Sequence, residues 1–179
     1  IAQRCAALSA LVYGRPGLSD VAPLGLRWCM PYARGASQAL LAGDGGAVYA
    51  AFRGTDEPMD VLTDVRFVKA PFPGGGRVHK GFRAAFLAIW PTMREALDSI
   101  EPGLPRIYTG HSMGGALAML AAVERPPALV HVFGCPRVGN AAFVRSLAGV
   151  DITRHEARRD PVTWAPPPTS PVQVLYSLV

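Results

Sequence analysis

Residues 110–114 read Gly110-His111-Ser112-Met113-Gly114, with Gly115 and Ala116 following. The run before them, Pro105 to Thr109, is apolar and strand-like, and the run after them, Ala116 to Val123, is made of helix formers. A G-x-S-x-G segment between a strand and a helix requires a sharp turn. The turn strains the serine backbone and lifts its hydroxyl into the open. Glycine flanks the serine because a Cβ would collide where strand and helix pass. The helix starts at the serine, so its first amides and its dipole favour negative charge beside the hydroxyl. A serine so placed is suited to making and breaking acyl bonds. The five-residue pattern alone arises by chance in a chain with 19 glycines; the flanking elements and the extra glycine at 115 make it informative.

The rest of the chain alternates between the two kinds of element. Residues 2–13 predict a helix ended by Gly14 and Pro16, and 17–35, rich in Pro and Gly, predict mostly loop. Gln38–Ala42 and Ala47–Phe52 predict a hairpin about Gly43-Asp44-Gly45-Gly46. A short strand is expected at 64–69, then a loop at 71–76. Between Gly81 and Ile100, Phe82, Phe86, Ile89, Met93 and Leu97 keep helical spacing, and Pro91 predicts a kink or a division. Beyond the elbow come a strand at 129–133, a helix at 141–147, a strand at 152–155, an irregular Pro166-Pro167-Pro168 stretch and an apolar tail at 172–179. This alternation predicts an α/β fold with a largely parallel central sheet flanked by helices. The runs at 105–109 and 129–133 are short and apolar, as strands buried on both faces are. The length, 179 residues, suits a single domain, with no internal repeat.

Several function classes are disfavoured. The net charge is +5, and the basic residues are nearly all scattered arginines without an aromatic-interleaved stripe, so no nucleic-acid partner is expected. The densest basic cluster, Arg154, Arg158 and Arg159, reads as a solvated strand end or loop. No apolar run approaches membrane-spanning length. No Cys/His cluster has ligand spacing, and Gly74-Gly75-Gly76 lacks a following phosphate-loop Lys-Ser/Thr, so neither a metal nor an organic cofactor is expected. Cys5, Cys29 and Cys135 make an odd count, which excludes a complete disulfide framework. Cys135 reads as a small buried hydrophobe, and a Cys5–Cys29 pair stays open. The sequence begins at Ile1, so it is silent on a leader; secreted and cytoplasmic placements and the oligomeric state stay open.

Five segments, in order, carry a more specific pattern. They are Phe52-Arg53-Gly54-Thr55, Val78-His79-Lys80-Gly81-Phe82, Thr109 through Ala116, Val132 through Asn140 and Asp160-Pro161-Val162. From about residue 47 to 168 the chain resembles the class 3 lipases, the fungal-lipase-like branch of the α/β-hydrolases. The resemblance implies Ser112 as nucleophile and Asp160 as the acid of a triad. It also implies an oxyanion hole made by the backbone N–H groups of Thr55 and Met113. These roles fit the chemistry: a serine hydroxyl needs a base, the oxyanion needs two aimed donors, and a carboxylate orients the imidazole. Read without the resemblance, Asp160 is a turn residue before Pro161, and Thr55 merely closes a strand. Arg53 and Asp64 read as structural ion-pair candidates.

In that family the histidine follows the acid, whereas His79, His111, His131 and His155 all precede Asp160. His111 should point away from the neighbouring hydroxyl, and His131 reads as a satisfied core residue. His155 and His79 are the candidate substitute bases, since triads are defined by geometry and not by order. The favoured expectation is a single domain over 1–179 that lacks its C-terminal segment, with the histidine encoded downstream. The family places its lid after Thr55, and here that stretch, Asp56-Glu57-Pro58-Met59-Asp60-Val61, is short, acidic and without tryptophan. The expected function is therefore hydrolysis of accessible carboxylic esters, acyl glycerols or similar, with weak interfacial activation; the expected partner is the acyl-ester substrate, and a lipid surface stays open. The competing expectation is a catalytically dead hydrolase-fold binding protein. A peptidase or thioesterase on the same elbow is a third reading.

Overall fold

A computed structural model describes residues 1–55, 68–100, 103–157 and 160–164. Among these the chain forms α1 (Ala2–Leu11), α2 (Leu18–Val21), β1 (Trp28–Arg34), β2 (Ser37–Gly43) and β3 (Val48–Phe52). Then follow β4 (Lys69–Pro71), β5 (Arg77–His79), α3 (Lys80–Ser99), β6 (Arg106–His111), α4 (Met113–Glu124), β7 (Leu129–Phe133), α5 (Ala141–Ser146) and β8 (Ile152–His155). A 3-10 turn spans Pro161–Trp164. The main sheet has the order β1-β2-β3-β6-β7-β8, and β4 and β5 form a separate ribbon. Strands β3, β6, β7 and β8 are parallel, and β1 and β2 join antiparallel beside β3.

Strand alternation sorts the core into two layers. Val48, Ala50 and Phe52 of β3, with Tyr108 of β6 and Val130 and Val132 of β7, face α3 and α4. Tyr49 and Ala51 of β3 and Ile107 of β6 face Cys5, Leu8 and Val12 of and just beyond α1. In α4 every residue from Gly114 to Ala122 is buried, because this helix is apolar all round and lies between the sheet and α3. Phe82, Phe86, Ile89, Met93 and Leu97 form the buried stripe of α3, as their spacing predicts.

Several expectations need correction. Residues 28–34, read as loop, form β1. Its Pro31 lacks an N–H, which an edge strand tolerates because one side of it makes no ladder bonds. Arg77–His79, at the end of a glycine-rich turn, form β5, too short for alternation to reveal. Pro91 does not divide α3, which runs unbroken from Lys80 to Ser99. Pro91 and Leu87 are both exposed, so water can take the carbonyl that the missing N–H leaves unbonded. The three thiols are free, so Cys5 and Cys29 are not paired. The strand expected at 64–69 falls mostly outside the described residues, as do Asp64 and the whole 56–61 stretch.

Candidate active site

Ser112 joins β6 to α4 with φ 53° and ψ −123°, and it alone among the described non-glycine residues has positive φ. Such a backbone costs of order 1–3 kcal/mol and persists only where the surroundings impose it. Here they do. The Ser112 N–H donates to the Phe133 carbonyl at the end of β7 (2.9 Å), and the Ser112 carbonyl accepts from the N–H groups of Gly115 (3.0 Å) and Ala116 (3.3 Å). The helix thus starts at the serine, and the N–H of Met113 belongs to a first turn whose donors lack acceptors within the helix.

The segment leaving β3 is pressed against this turn. A Cβ at Gly114 would strike the Phe52 carbonyl oxygen, and one at Gly54 would lie 2.6 Å from the His111 carbonyl oxygen and collide with the Tyr13 hydroxyl. Only glycine at both positions allows so close an approach. Thr55 follows directly, and its Oγ1 is buried without a hydrogen-bond partner among the described residues. A buried hydroxyl left without a partner is costly.

Asp160 sits in a tight turn after β8. Its N–H donates to the Ala157 carbonyl (3.0 Å), its Oδ1 accepts from the Val162 N–H (2.9 Å), and its carbonyl accepts from the Thr163 hydroxyl (2.9 Å). This is the turn chemistry that the Asp-Pro dipeptide foretold. The other carboxylate oxygen, Oδ2, lies 3.0 Å from where a Cβ on Gly134 would stand, and His111 Nε2 lies 3.5 Å from the same point. Asp160 therefore hangs over the end of β7, on the side of the serine turn. Thr55, Met113, Ser112 and Asp160 all lie at or beyond the carboxyl ends of parallel strands, where open α/β sheets place their binding crevices.

The four histidines are engaged elsewhere. His111 Nδ1 shares a 2.9 Å hydrogen bond with the Tyr13 hydroxyl. His155 stacks on Phe133 (centroids 4.5 Å apart), and its Nε2 meets His131 Nδ1 at 3.0 Å. Burial, and next the neighbouring His155, push the His131 pKa down. His79 is buried, its ring 4.5 Å from that of Phe82. The hydrogen bonds of His111, His131 and His155 thus run to Tyr13 and to one another rather than to Ser112 or Asp160.

Two neighbours of the site differ in their readiness to react or to bind. Burial pushes the Cys135 thiol up to about 11, so it stays protonated and inert. Arg154 is not the solvated strand end the sequence implied: it donates to the Cys135 carbonyl (2.6 Å) and pairs with Glu156 (2.8 Å), bracing the chain that follows Gly134. Arg158 and Arg159 lie outside the described residues. Sequence reasoning missed Tyr13, because a tyrosine just past an amphipathic helix carries no signal of its destination. Among the described residues no three His, Cys, Asp or Glu are grouped to hold a metal, and no helix is long and apolar enough to cross a membrane.

A family model described as lipase (class 3) matches residues 49–170. A lipase of Rhizopus niveus is 33% identical over 137 residues, covering 67% of this chain and 35% of that protein. The secreted mono- and diacylglycerol lipase 1 of Fusarium solani is 34% identical over 103 residues, covering 52% of this chain and 31% of that protein. Among solved structures, the Rhizomucor miehei lipase–propeptide complex superposes with a TM-score of 0.78 at 27% identity, covering 92% of this chain and 62% of that chain. The chain thus spans about a third of the length of the curated relatives it matches. With the elbow, the sheet order and the family model in agreement, the chain belongs to the class 3 lipase family of the α/β-hydrolase fold.

Proposed function

We propose that this protein hydrolyses carboxylic esters, acyl glycerols or similar, through an acyl-enzyme on Ser112. The observation that carries this reading is the strained Ser112 backbone at the end of β6, with the Gly54-Thr55 segment packed against its turn. Ser112 Oγ attacks the acyl carbon as its proton passes to an imidazole. The oxyanion is met by the N–H groups of Thr55 and Met113, with the Thr55 hydroxyl as a third donor. The alcohol leaves with the proton, and water then releases the acid by the same route in reverse. Each oxyanion donor is worth about 3 kcal/mol in such sites. Asp160 orients the imidazole and stabilises its charged form. The names of the relatives support the ester substrate: lipase, and mono- and diacylglycerol lipase.

In the family's order the base follows the acid, and the relatives extend well beyond the matched region. The proposal therefore assigns the imidazole to sequence following Asp160 in the full gene product. His155 and His79 are the substitutes within the described residues, and each would have to give up the contact it now makes, with His131 and with Phe82 respectively. A fluorophosphonate probe tests the reading. It should label Ser112 of the full gene product, and Ser112→Ala should abolish both labelling and turnover of nitrophenyl esters. An unlabelled protein that still binds acyl esters would establish the non-catalytic alternative. The short acidic stretch after Thr55 supports weak interfacial activation; a rate that jumps only above the micellar limit would refute that part.

A further inference from the structure

One polar seam on the sheet face opposite α3 and α4 is not used by the proposed reaction. On β6, Thr109 and His111 point to the same face, two residues apart. Cys5, Ser9 and Tyr13 lie four residues apart along and just beyond α1, on one side of it. The two rows meet in register. Thr109 Oγ1 donates to the Cys5 carbonyl (3.3 Å) and shares a buried 2.9 Å hydrogen bond with Ser9 Oγ. Tyr13 Oη then bonds His111 Nδ1 (2.9 Å), one residue before the nucleophile. The same phenol abuts Gly54 closely enough to forbid a Cβ there, and the Arg53 guanidinium lies over its ring, 5.5 Å from the centroid. Tyr13 thus touches both halves of the candidate site, the elbow and the segment that ends in Thr55.

We propose that Tyr13 is a positioning residue, whose hydroxyl donates to His111 Nδ1 and clasps the Ser112 turn to the Arg53-Gly54-Thr55 segment. With the phenol as donor, Nδ1 accepts and the ring N–H is on Nε2, the atom that faces the space over Gly134 beside Asp160 Oδ2. The clasp sets the spacing between nucleophile and oxyanion donors. A shift of about 1 Å in such spacing can cost on the order of 100-fold in rate. The inference about rate rests on the proposed esterase reading; the inference about the clasp does not.

The test compares Tyr13→Phe, which keeps the ring under Arg53 but removes the hydroxyl, with Ser9→Ala, which breaks the same seam away from the site. Tyr13→Phe should lower kcat on a nitrophenyl ester by about 10-fold, leave KM within about twofold, and slow fluorophosphonate labelling in parallel. The His111 ring nitrogens, followed by nitrogen NMR, should change from a hydrogen-bonded Nε2–H tautomer to a tautomer mixture. Ser9→Ala should lower the unfolding temperature yet leave kcat and the His111 signals unchanged. Equal loss of kcat in both variants would reduce Tyr13 to a structural role and overturn the proposal. Wild-type His111 protonated on Nδ1 would overturn it as well. If the wild-type protein neither turns over esters nor labels, the esterase reading fails, and the His111 signals still decide the clasp.

Discussion

A single hydroxyl at position 55 separates two ways of stabilising an oxyanion. The backbone N–H of Thr55 is present whatever the side chain, whereas Oγ1 is a buried donor that lacks a partner among the described residues. If Oγ1 is held for the oxyanion, Thr55→Val should lower kcat by about 10- to 100-fold at little change in KM, and Thr55→Ser should restore most of it. Steady-state kinetics on a soluble ester check this, and equal rates for the two variants would leave the role to the backbone alone. Ser112 itself is predicted to be far less forgiving, with Ser112→Ala losing at least about 1,000-fold. Legibility at this scale follows the backbone. The strained turn at Ser112 was readable because a glycine pattern marks it, whereas the part given to Thr55 came from the family pattern, since without it Thr55 reads as the end of a strand. Asp160 was readable from the family pattern alone, since an Asp-Pro turn looks the same wherever it occurs. Tyr13 was not readable, because its partner is 98 residues away and its contact depends on how α1 lies on the sheet.

Among the elements, α3 carries its own test of how far local propensity governs this fold. Pro91 lies inside it on the exposed face, where a proline forfeits one hydrogen bond and costs about 3 kcal/mol relative to alanine in an unsupported helix. The helix survives because Phe86, Ile89, Trp90 and Met93 are buried around that position. Pro91→Ala should therefore stabilise the protein by about 1–3 kcal/mol in urea unfolding without altering catalysis. At the start of α5, Asn140 Oδ1 accepts from the Phe143 N–H (3.1 Å) and from the Arg77 N–H of β5 (3.0 Å). Asn140→Ala removes a cap and a tie between elements at once, so thermal unfolding should show a loss of about 1–2 kcal/mol. Periodicity revealed α3 because its burial is one-sided over about five turns, and β7 was legible as a short apolar run. It missed β1 because an edge strand carrying a proline has half-exposed residues and no alternation.

Across the whole molecule, acid should loosen two separate places in two separate pH windows. His131 and His155 link β7 to β8, and the charged groups that act on His131 are His155, the Ile1 ammonium and Asp151, in that order. The pKa of His131 is lowered chiefly by burial and then by its neighbour, from an ordinary value of 6.5. The unfolded chain therefore takes up this proton first. Stability begins to fall as the pH drops through 6.5 and stops falling once the folded imidazole is also protonated. Asp44 acts lower on the scale. Burial opposes its ionisation, but hydrogen bonds from the Gly46 N–H, Arg4 and the Ala47 N–H outweigh burial and hold its pKa below the ordinary 3.8. The unfolded carboxylate protonates first here too, so the stabilising contribution is full above 3.8 and is lost as the pH falls through the folded value. Because Arg4 reaches from α1 to the β2–β3 turn, that loss should weaken the seating of α1 on the sheet. Urea midpoints measured from pH 8 to 3 should show two declines. His131→Asn should flatten only the upper one and Asp44→Asn only the lower. A single decline that neither substitution changes would mean that the titration is spread over the surface carboxylates instead.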